Sequence, residues 1–159
     1  DRVYIRERAS MVYYPGGELA PDLVLGLDWT PAQSPTKDVG VFLRRDREAS
    51  VRRSWSHRRL CDAAELCTTP QDYLTMASEY HSIVTDRLHF ALAGLVAGRH
   101  VTLLPNNYHK NKSLFTTWLK PLGMRFARTP EQALSALRKS KRPRANEINR
   151  KSDSARSPV

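Results

Sequence analysis

Cysteine is scarce in this sequence, with only Cys61 and Cys67 among 159 residues, separated by five others. A structural zinc site takes four ligands at recognisable spacing, so this pair excludes one. In the helical-looking LCDAAELC the two read as ordinary thiols of a reducing compartment, which points to the cytoplasm. Long apolar runs are missing as well. The longest candidate, Phe90 to Ala97, falls far short of the ~18 residues a membrane span requires. No signal-peptide pattern, no internal repeat and no DxD pair that could hold a metal is found. The chain opens on Asp1 and runs almost at once into the strand-like Val3-Tyr4-Ile5, so it is expected to be part of a longer protein.

What is present suits one globular domain with a real core: 40% of residues are apolar and 8% aromatic. The net charge of +10 is uneven. Residues 138–159 hold eight Lys/Arg against two acidic residues, and the other 137 residues carry only +4. That basic stretch, RKSKRPRANEINRKSDSARSPV, has almost no large apolar groups to offset its ordering entropy and reads as a disordered, solvated tail. It lacks the interleaved aromatics on which bases stack, so no specific nucleic acid is expected as a partner. Loose association with RNA or with acidic lipid at a membrane surface is the most it implies.

Turn and strand signals order the remainder. YYPGGE is a turn, Asp22 precedes the apolar LVLGL, and the Pro-containing TPAQSPTKD (residues 30–38) reads as a linker and domain boundary. Val39 to Leu43 is a continuous apolar strand of the kind buried on both faces. Ala49 to Cys67 is expected to be helical in part. Thr69-Pro70 opens a helix through His81, with Thr as N-cap and Asp72 favouring the dipole. A strand at Ser82–Val84, a helix from Asp86 to Ala97 stopped by Gly98, and a strand at Val101–Leu104 follow. The NNYHKNK loop leads to a helix over Leu114–Lys120, and Thr129-Pro130-Glu131 starts the last helix. Strand and helix alternating with short connections predict an α/β fold with a parallel sheet.

Ligands of such sheets bind outside the carboxyl ends of the strands, where three loops of unusual chemistry are expected to converge. They are Arg44-Arg45-Asp46, Thr85 to His89, and Pro105 to Lys112. With Thr85 or Asp86 as N-cap, Arg87 and His89 lie in the first helical turn, where free N–H groups favour an anion. Arg87 offers a bidentate donor and His89 a donor or proton carrier; Asn107 and Lys110 add neutral and charged donors. The competing reading makes Arg87 a surface ion-pair partner, His89 a cap, and Asp46 and Asp86 structural carboxylates. His109 and Lys112 read as bystanders, and the run Arg47, Arg52, Arg53, Arg58 and Arg59 as mostly a solvated face.

The segment TDRLHFALAGLVAGRHVTLLPNNYHKNKSLFTTWL resembles the signature of the polysaccharide pyruvyl transferase family. VFLRRDRE is similar to that family's strand ending in Arg, a variable residue, Asp and Glu, with Arg44 matching the family Arg. RERAS followed by Asp22 and an apolar run resembles the stretch before it, so the likeness covers about residues 2 to 120. Two departures stand out: Pro105-Asn106 replaces an often acidic residue, and His109 takes a place usually held by Gly. The resemblance implies two Rossmann-like domains arranged as in GT-B glycosyltransferases, with residues 1–29 ending the first, incomplete domain and 39–137 forming the second. It implies transfer of a pyruvyl group from phosphoenolpyruvate to two hydroxyls of a glycan or its lipid-linked precursor, in the cytoplasm. His89 and Arg87 would be catalytic, Arg44, Leu88, Asn107 and Lys110 substrate-binding, and no metal or cofactor beyond phosphoenolpyruvate is expected. A GT-B-like glycosyltransferase using a nucleotide sugar, or an inactive anion-binding fragment, are the alternatives.

Overall fold

A computed structural model of the chain describes residues 2–49 and 61–141. Two two-residue strands, β1 (Tyr4–Ile5) and β2 (Glu18–Leu19), pair in parallel near the start. Between and after them lie 3-10 turns over Arg8–Tyr13 and Leu23–Gly26, the second capped by the Asp22 carboxylate on Val24 N–H. The main sheet follows: β3 (Lys37–Phe42), β4 (Tyr80–Thr85), β5 (His100–Leu103) and β6 (Arg125–Phe126), all parallel and in that spatial order. Helices α1 (Ala63–Leu66) and α2 (Pro70–Ser78) connect β3 to β4, and α3 (Leu88–Val96) connects β4 to β5. Helix α4 (Lys110–Leu114) runs on into a π turn (Phe115–Leu119) before β6, and α5 (Pro130–Lys141) closes the described chain.

This is the expected α/β fold, Rossmann-like in its parallel sheet with helices on both faces. Strands added in sequence order by right-handed crossovers send every connection over the same face. The core divides accordingly. Phe42, Ile83, Val101 and Leu103 point to a large cluster with Leu74, Phe90, Leu92, Leu114 and Leu119 from the connecting helices. Their neighbours in the chain, Leu43, Val84 and Leu104, point the other way and meet Ala133, Leu134 and Leu137 of α5, with Ala127, Val39 and Val41. The two-residue alternation of a strand thus sorts one sheet between a thick layer and a thin one. Val24, Leu25 and Trp29 of the N-terminal segment pack against the thick side.

Local chemistry sets the helix boundaries. Thr69 Oγ1 accepts from Asp72 N–H, and the Asp72 carboxylate accepts from Thr69 N–H at 2.8 Å, a reciprocal capping box with Pro70 at the first helical position. At the end of α3, Gly98 adopts φ 72° and its N–H donates to Leu95, while Arg99 N–H reaches Gly94. That paired closure requires the left-handed conformation glycine supplies. Gly94 earns its place differently: a Cβ there would meet Ile83 Cδ1 and Val101 Cγ2 at 2.9 Å, so its absence lets α3 lie close on β4 and β5.

Several sequence expectations shift. Val39–Leu43 is not buried on both faces: β3 is an edge strand, Val39 and Val41 are only partly covered, and Lys37 and Asp38 already belong to it rather than to a linker. Helix α2 ends at Ser78, because Tyr80 and His81 are drawn into β4 by pairing with β3 from Lys37 onward. The NNYHKNK stretch is half helical, since α4 begins at Lys110. β6 has no sequence counterpart. Helix α5 extends to Lys141, past the start of the expected tail. The rest of that tail, and Arg52, Arg53, Arg58 and Arg59 with most of the stretch expected to be partly helical, lie outside the described residues.

Candidate functional site at the carboxyl edge of the sheet

The three loops do meet beyond the carboxyl ends of β3, β4 and β5. Arg44 N–H donates to Asp86 Oδ1 at 2.8 Å, joining the first loop to the second. Asn107 N–H donates to Glu48 carbonyl at 3.0 Å and its side-chain amide to Arg47 carbonyl at 2.7 Å, joining the third loop to the first. Asn111, almost fully buried, donates from one amide to the carbonyls of Asp86 and Leu104 at 2.8 and 2.9 Å. It accepts no such role in the sequence reading, yet it ties the ends of β4 and β5 together. Asn107 is thus a loop fastener here, and Asn106 and Asn111 are the buried amides of the NNYHKNK stretch.

Arg87 is the N-cap of α3 rather than a first-turn residue. Thr85 Oγ1 accepts Arg87 N–H at 3.0 Å, holding Arg87 extended, and the Asp86 carboxylate is taken by Arg44, so neither caps the helix as expected. The Arg87 guanidinium grips Asp62 with two bonds, Nε to Oδ1 at 2.8 Å and Nη2 to Oδ2 at 2.6 Å. Asp62 is 2% exposed and also accepts from Arg45 and Ala64 N–H. Burial alone would raise its carboxyl; Arg87 and these N–H groups outweigh it and hold the carboxyl below its usual range. The pairing in turn holds Arg87 charged at every accessible pH.

The remaining Arg87 nitrogen, Nη1, lies 2.9 Å from Asp46 Oδ2. The same carboxylate accepts from Arg44 Nε and Nη2 at 2.9 and 3.0 Å, while Arg44 Nη1 meets Glu48 at 2.6 Å. Asp46 therefore straddles two guanidinium groups. The Arg44 bonds first, with Glu48 N–H and Arg87, push its carboxyl down to about 2. Unlike Asp62, Asp46 and Glu48 stay 41% and 40% exposed at the side chain. One wall of the arginine pair is fixed and buried; the other is formed by carboxylates that face solvent.

His89, in the first turn of α3, leaves its side chain 58% exposed, with Nε2 3.8 Å from Asp22 Oδ2. Partial burial lowers its pKa, Asp22 opposes this, and Arg6 and Lys110 add to the lowering, so the ring is neutral at pH 7. Asp22 is buried and bound by Arg6 Nη1 at 2.8 Å. Leu88 is a core residue, so only its backbone, at the first helical position, can face a ligand. Lys110 opens α4 within electrostatic reach of His89.

The N-terminal segment supplies what the sequence reading missed. Glu7, also buried, accepts from Ala9 N–H at 2.8 Å and from Ser10 Oγ, and lies 3.5 Å from His109 Nε2. Trp118 Nε1 donates to Arg6 carbonyl at 2.9 Å and Ala9 N–H to Ser113 Oγ at 3.1 Å, fastening the segment to the helix after β5. A pairing across about a hundred residues leaves no periodicity in the chain. The only signal was a carboxylate standing before each short apolar or polar turn, Glu7 and Asp22, which reads equally well as a cap.

No family model matches the chain, and no curated protein matches it. Among solved structures it is similar to a functionally uncharacterised protein from Klebsiella pneumoniae subsp. pneumoniae NTUH-K2044, with a TM-score of 0.60 and 20% identity. The match covers 80% of this chain and 55% of that one, so the chain spans about half the length of the structure it resembles. At that identity the likeness shows the fold alone.

Proposed function

We propose that this chain carries the donor side of a pyruvyl transferase, binding phosphoenolpyruvate at the carboxyl edge of the sheet as one half of a GT-B-like enzyme. The observation that carries the reading is the Asp46 carboxylate held between Arg44 and Arg87. A carboxylate already held by donors of two guanidinium groups marks a place shaped for one. Phosphoenolpyruvate brings a carboxylate and a phosphate, and would displace the exposed Asp46 and Glu48 while Asp62 keeps Arg87 in place. Lys110 adds charge, and the neutral His89 takes a proton from an attacking hydroxyl and delivers it to the methylene carbon. The cationic pair meets the charge of the departing phosphate. The acceptor on this reading is a glycan or its lipid-linked precursor, in the cytoplasm.

Calorimetric titration with phosphoenolpyruvate at two salt concentrations tests this, beside Arg87→Ala/His89→Ala. Saturable binding, matched poorly by inorganic phosphate and weakened at least tenfold in the double variant, is expected. Binding shared equally with sulfate, or unchanged in the variant, would overturn the reading. A nucleotide sugar preferred over phosphoenolpyruvate would replace it with glycosyl transfer.

Asp46→Asn supplies a second expectation. Removing the resident charge frees both guanidinium groups, and affinity for phosphoenolpyruvate is expected to rise about tenfold, or about 1.4 kcal/mol. Because the Asp46 carboxyl titrates near 2, it competes undiminished throughout pH 5–8, and the gain should be equal at both ends of that range. Unchanged affinity would place the ligand away from the arginine pair.

A further inference from the structure

The proposed reaction moves two protons. In the first step a hydroxyl oxygen bonds to C2 of phosphoenolpyruvate, the methylene carbon gains a proton and becomes a methyl group, and the hydroxyl loses one. In the second, another hydroxyl bonds to C2, the bond from C2 to the phosphate oxygen breaks, and the hydroxyl proton leaves with the phosphate as the monohydrogen dianion. Charge is conserved across the two steps, and no oxidant or reductant is required. One imidazole accounts for the first step. His89 is neutral again at its end, and a second group able to accept a proton at neutral pH, placed where the second hydroxyl arrives, would carry that proton to the departing phosphate.

We infer that His109, backed by the buried Glu7 carboxylate, is that second acid–base residue, facing the same edge as His89. This rests on the pyruvyl transfer reading above. Four observations place it. His109 immediately precedes α4, its side chain 46% exposed, with Nε2 3.5 Å from Glu7 Oε1. Lys110, its neighbour in the chain, lies close enough to His89 to act on its charge, which sets the start of α4 near the start of α3. Each is backed by a buried carboxylate, and both carboxylates come from the N-terminal segment. Arg6, next to Glu7 in the chain, binds Asp22 at 2.8 Å, linking the two pairs into one row: His89, Asp22, Arg6–Glu7, His109.

A carboxylate behind an imidazole orients the ring and stabilises the imidazolium it becomes on taking a proton. Burial alone would raise the Glu7 carboxyl. Hydrogen bonds from Ser10, Ser113 and Ala9, with the charge of His109, prevail and hold it low and ionised, as this role requires. Lys110 and Lys112 follow on the same helix, and the Tyr108 ring stands edge-on to His109 at 5.7 Å between centroids. Glu7 is a positioning residue; its own oxygens are too deep to reach a substrate.

The test uses the full chain with phosphoenolpyruvate, reading affinity by calorimetry and turnover as phosphate release with a panel of methyl hexopyranosides and with water. His109→Ala is expected to bind phosphoenolpyruvate within twofold of the unaltered chain while turnover falls about a hundredfold, within the span of general acid–base effects. Added imidazole should restore a good part of that loss, which a merely structural role would not permit. Glu7→Gln should show a smaller fall, again in turnover and not in affinity. Should the alanine variant fail to fold, His109→Gln, which keeps the ring's bulk and polarity, takes its place. Turnover at the unaltered rate, or a loss imidazole does not repair, overturns the role of His109 and leaves the donor site standing. An unaltered chain that binds phosphoenolpyruvate without turning it over overturns the inference in the same way. Absence of phosphoenolpyruvate binding overturns both readings together.

Discussion

Asp62→Ala is expected to destabilise the fold by about 3 to 5 kcal/mol at neutral pH, read from the urea midpoint. Asp62 is almost wholly buried and takes two bonds from Arg87 and one each from Arg45 and Ala64 N–H. Truncation leaves the Arg87 charge in a poorly solvated place with only the exposed Asp46 beside it. It also strips the acceptor from two backbone donors, Ala64 N–H at the start of α1 and Arg45 N–H beyond β3. The sharper expectation concerns the double variant. Asp62→Ala/Arg87→Met removes the stranded charge, so it should be more stable than Asp62→Ala alone by about 1 to 2 kcal/mol, as coupled partners behave. Additive losses would mean that Asp62 acts only through the backbone N–H groups that donate to it.

The second large effect belongs to Asp86 and depends on pH. Its side chain is fully buried; Oδ1 accepts Arg44 N–H, and Oδ2 has no hydrogen-bond partner among the described residues. Burial raises the carboxyl from 3.8 to about 6, with the Arg44 N–H pulling the other way. Between those values the folded chain keeps a proton that the unfolded chain releases. The stability this group contributes is therefore complete below pH 4 and is lost as pH rises through 6, a difference of about 3 kcal/mol. Asp86→Asn keeps the acceptor for Arg44 and abolishes the titration. It is expected to be about 2 to 3 kcal/mol more stable than the parent at pH 8 and no more stable at pH 4. Comparing variant with parent at each pH cancels the opposite trend of Asp62, Asp22 and Glu7, which lose stability as pH falls. A constant difference at both pH values would show that the carboxyl does not titrate with folding.

What the sequence disclosed and what it concealed follow from how far each interaction reaches along the chain. The N-cap at Thr69, the stop at Gly98 and the strand begun beside Val101 are local, and each was readable. So was the convergence of three loops, since a parallel sheet leaves them little choice of edge. β6 was invisible because two residues carry no period; Leu103 pairs with Phe126 in register, and the pairing alone makes it a strand. β3 read as doubly buried because an apolar run looks the same at an edge as at the centre. The N-cap of α3 was misplaced by two chemically sound candidates, one of which had been claimed by a residue 42 positions away. At the site, Arg44, Arg87 and His89 were legible by residue type. Asp62, which holds Arg87, and Asp22, which faces His89, come from other segments, and only the folded chain identifies them. Whether the arginines serve a ligand or merely the fold is the question the resident Asp46 poses, and its replacement answers it.

The thin side of the sheet has a consequence for how this chain comes into being. Among the described residues, Leu43, Val84 and Leu104 are covered chiefly by α5, whose Ala133, Leu134 and Leu137 come late in the chain. A ribosome makes the sheet strands first. Until residues 130–141 emerge, one complete oily surface stands open to solvent while the other is already roofed. Nascent chains in that condition attract chaperones and one another. Changes that shrink the apolar face of α5, Leu137→Ser among them, would prolong that interval and lower the yield of folded chains as well as the stability of the finished one.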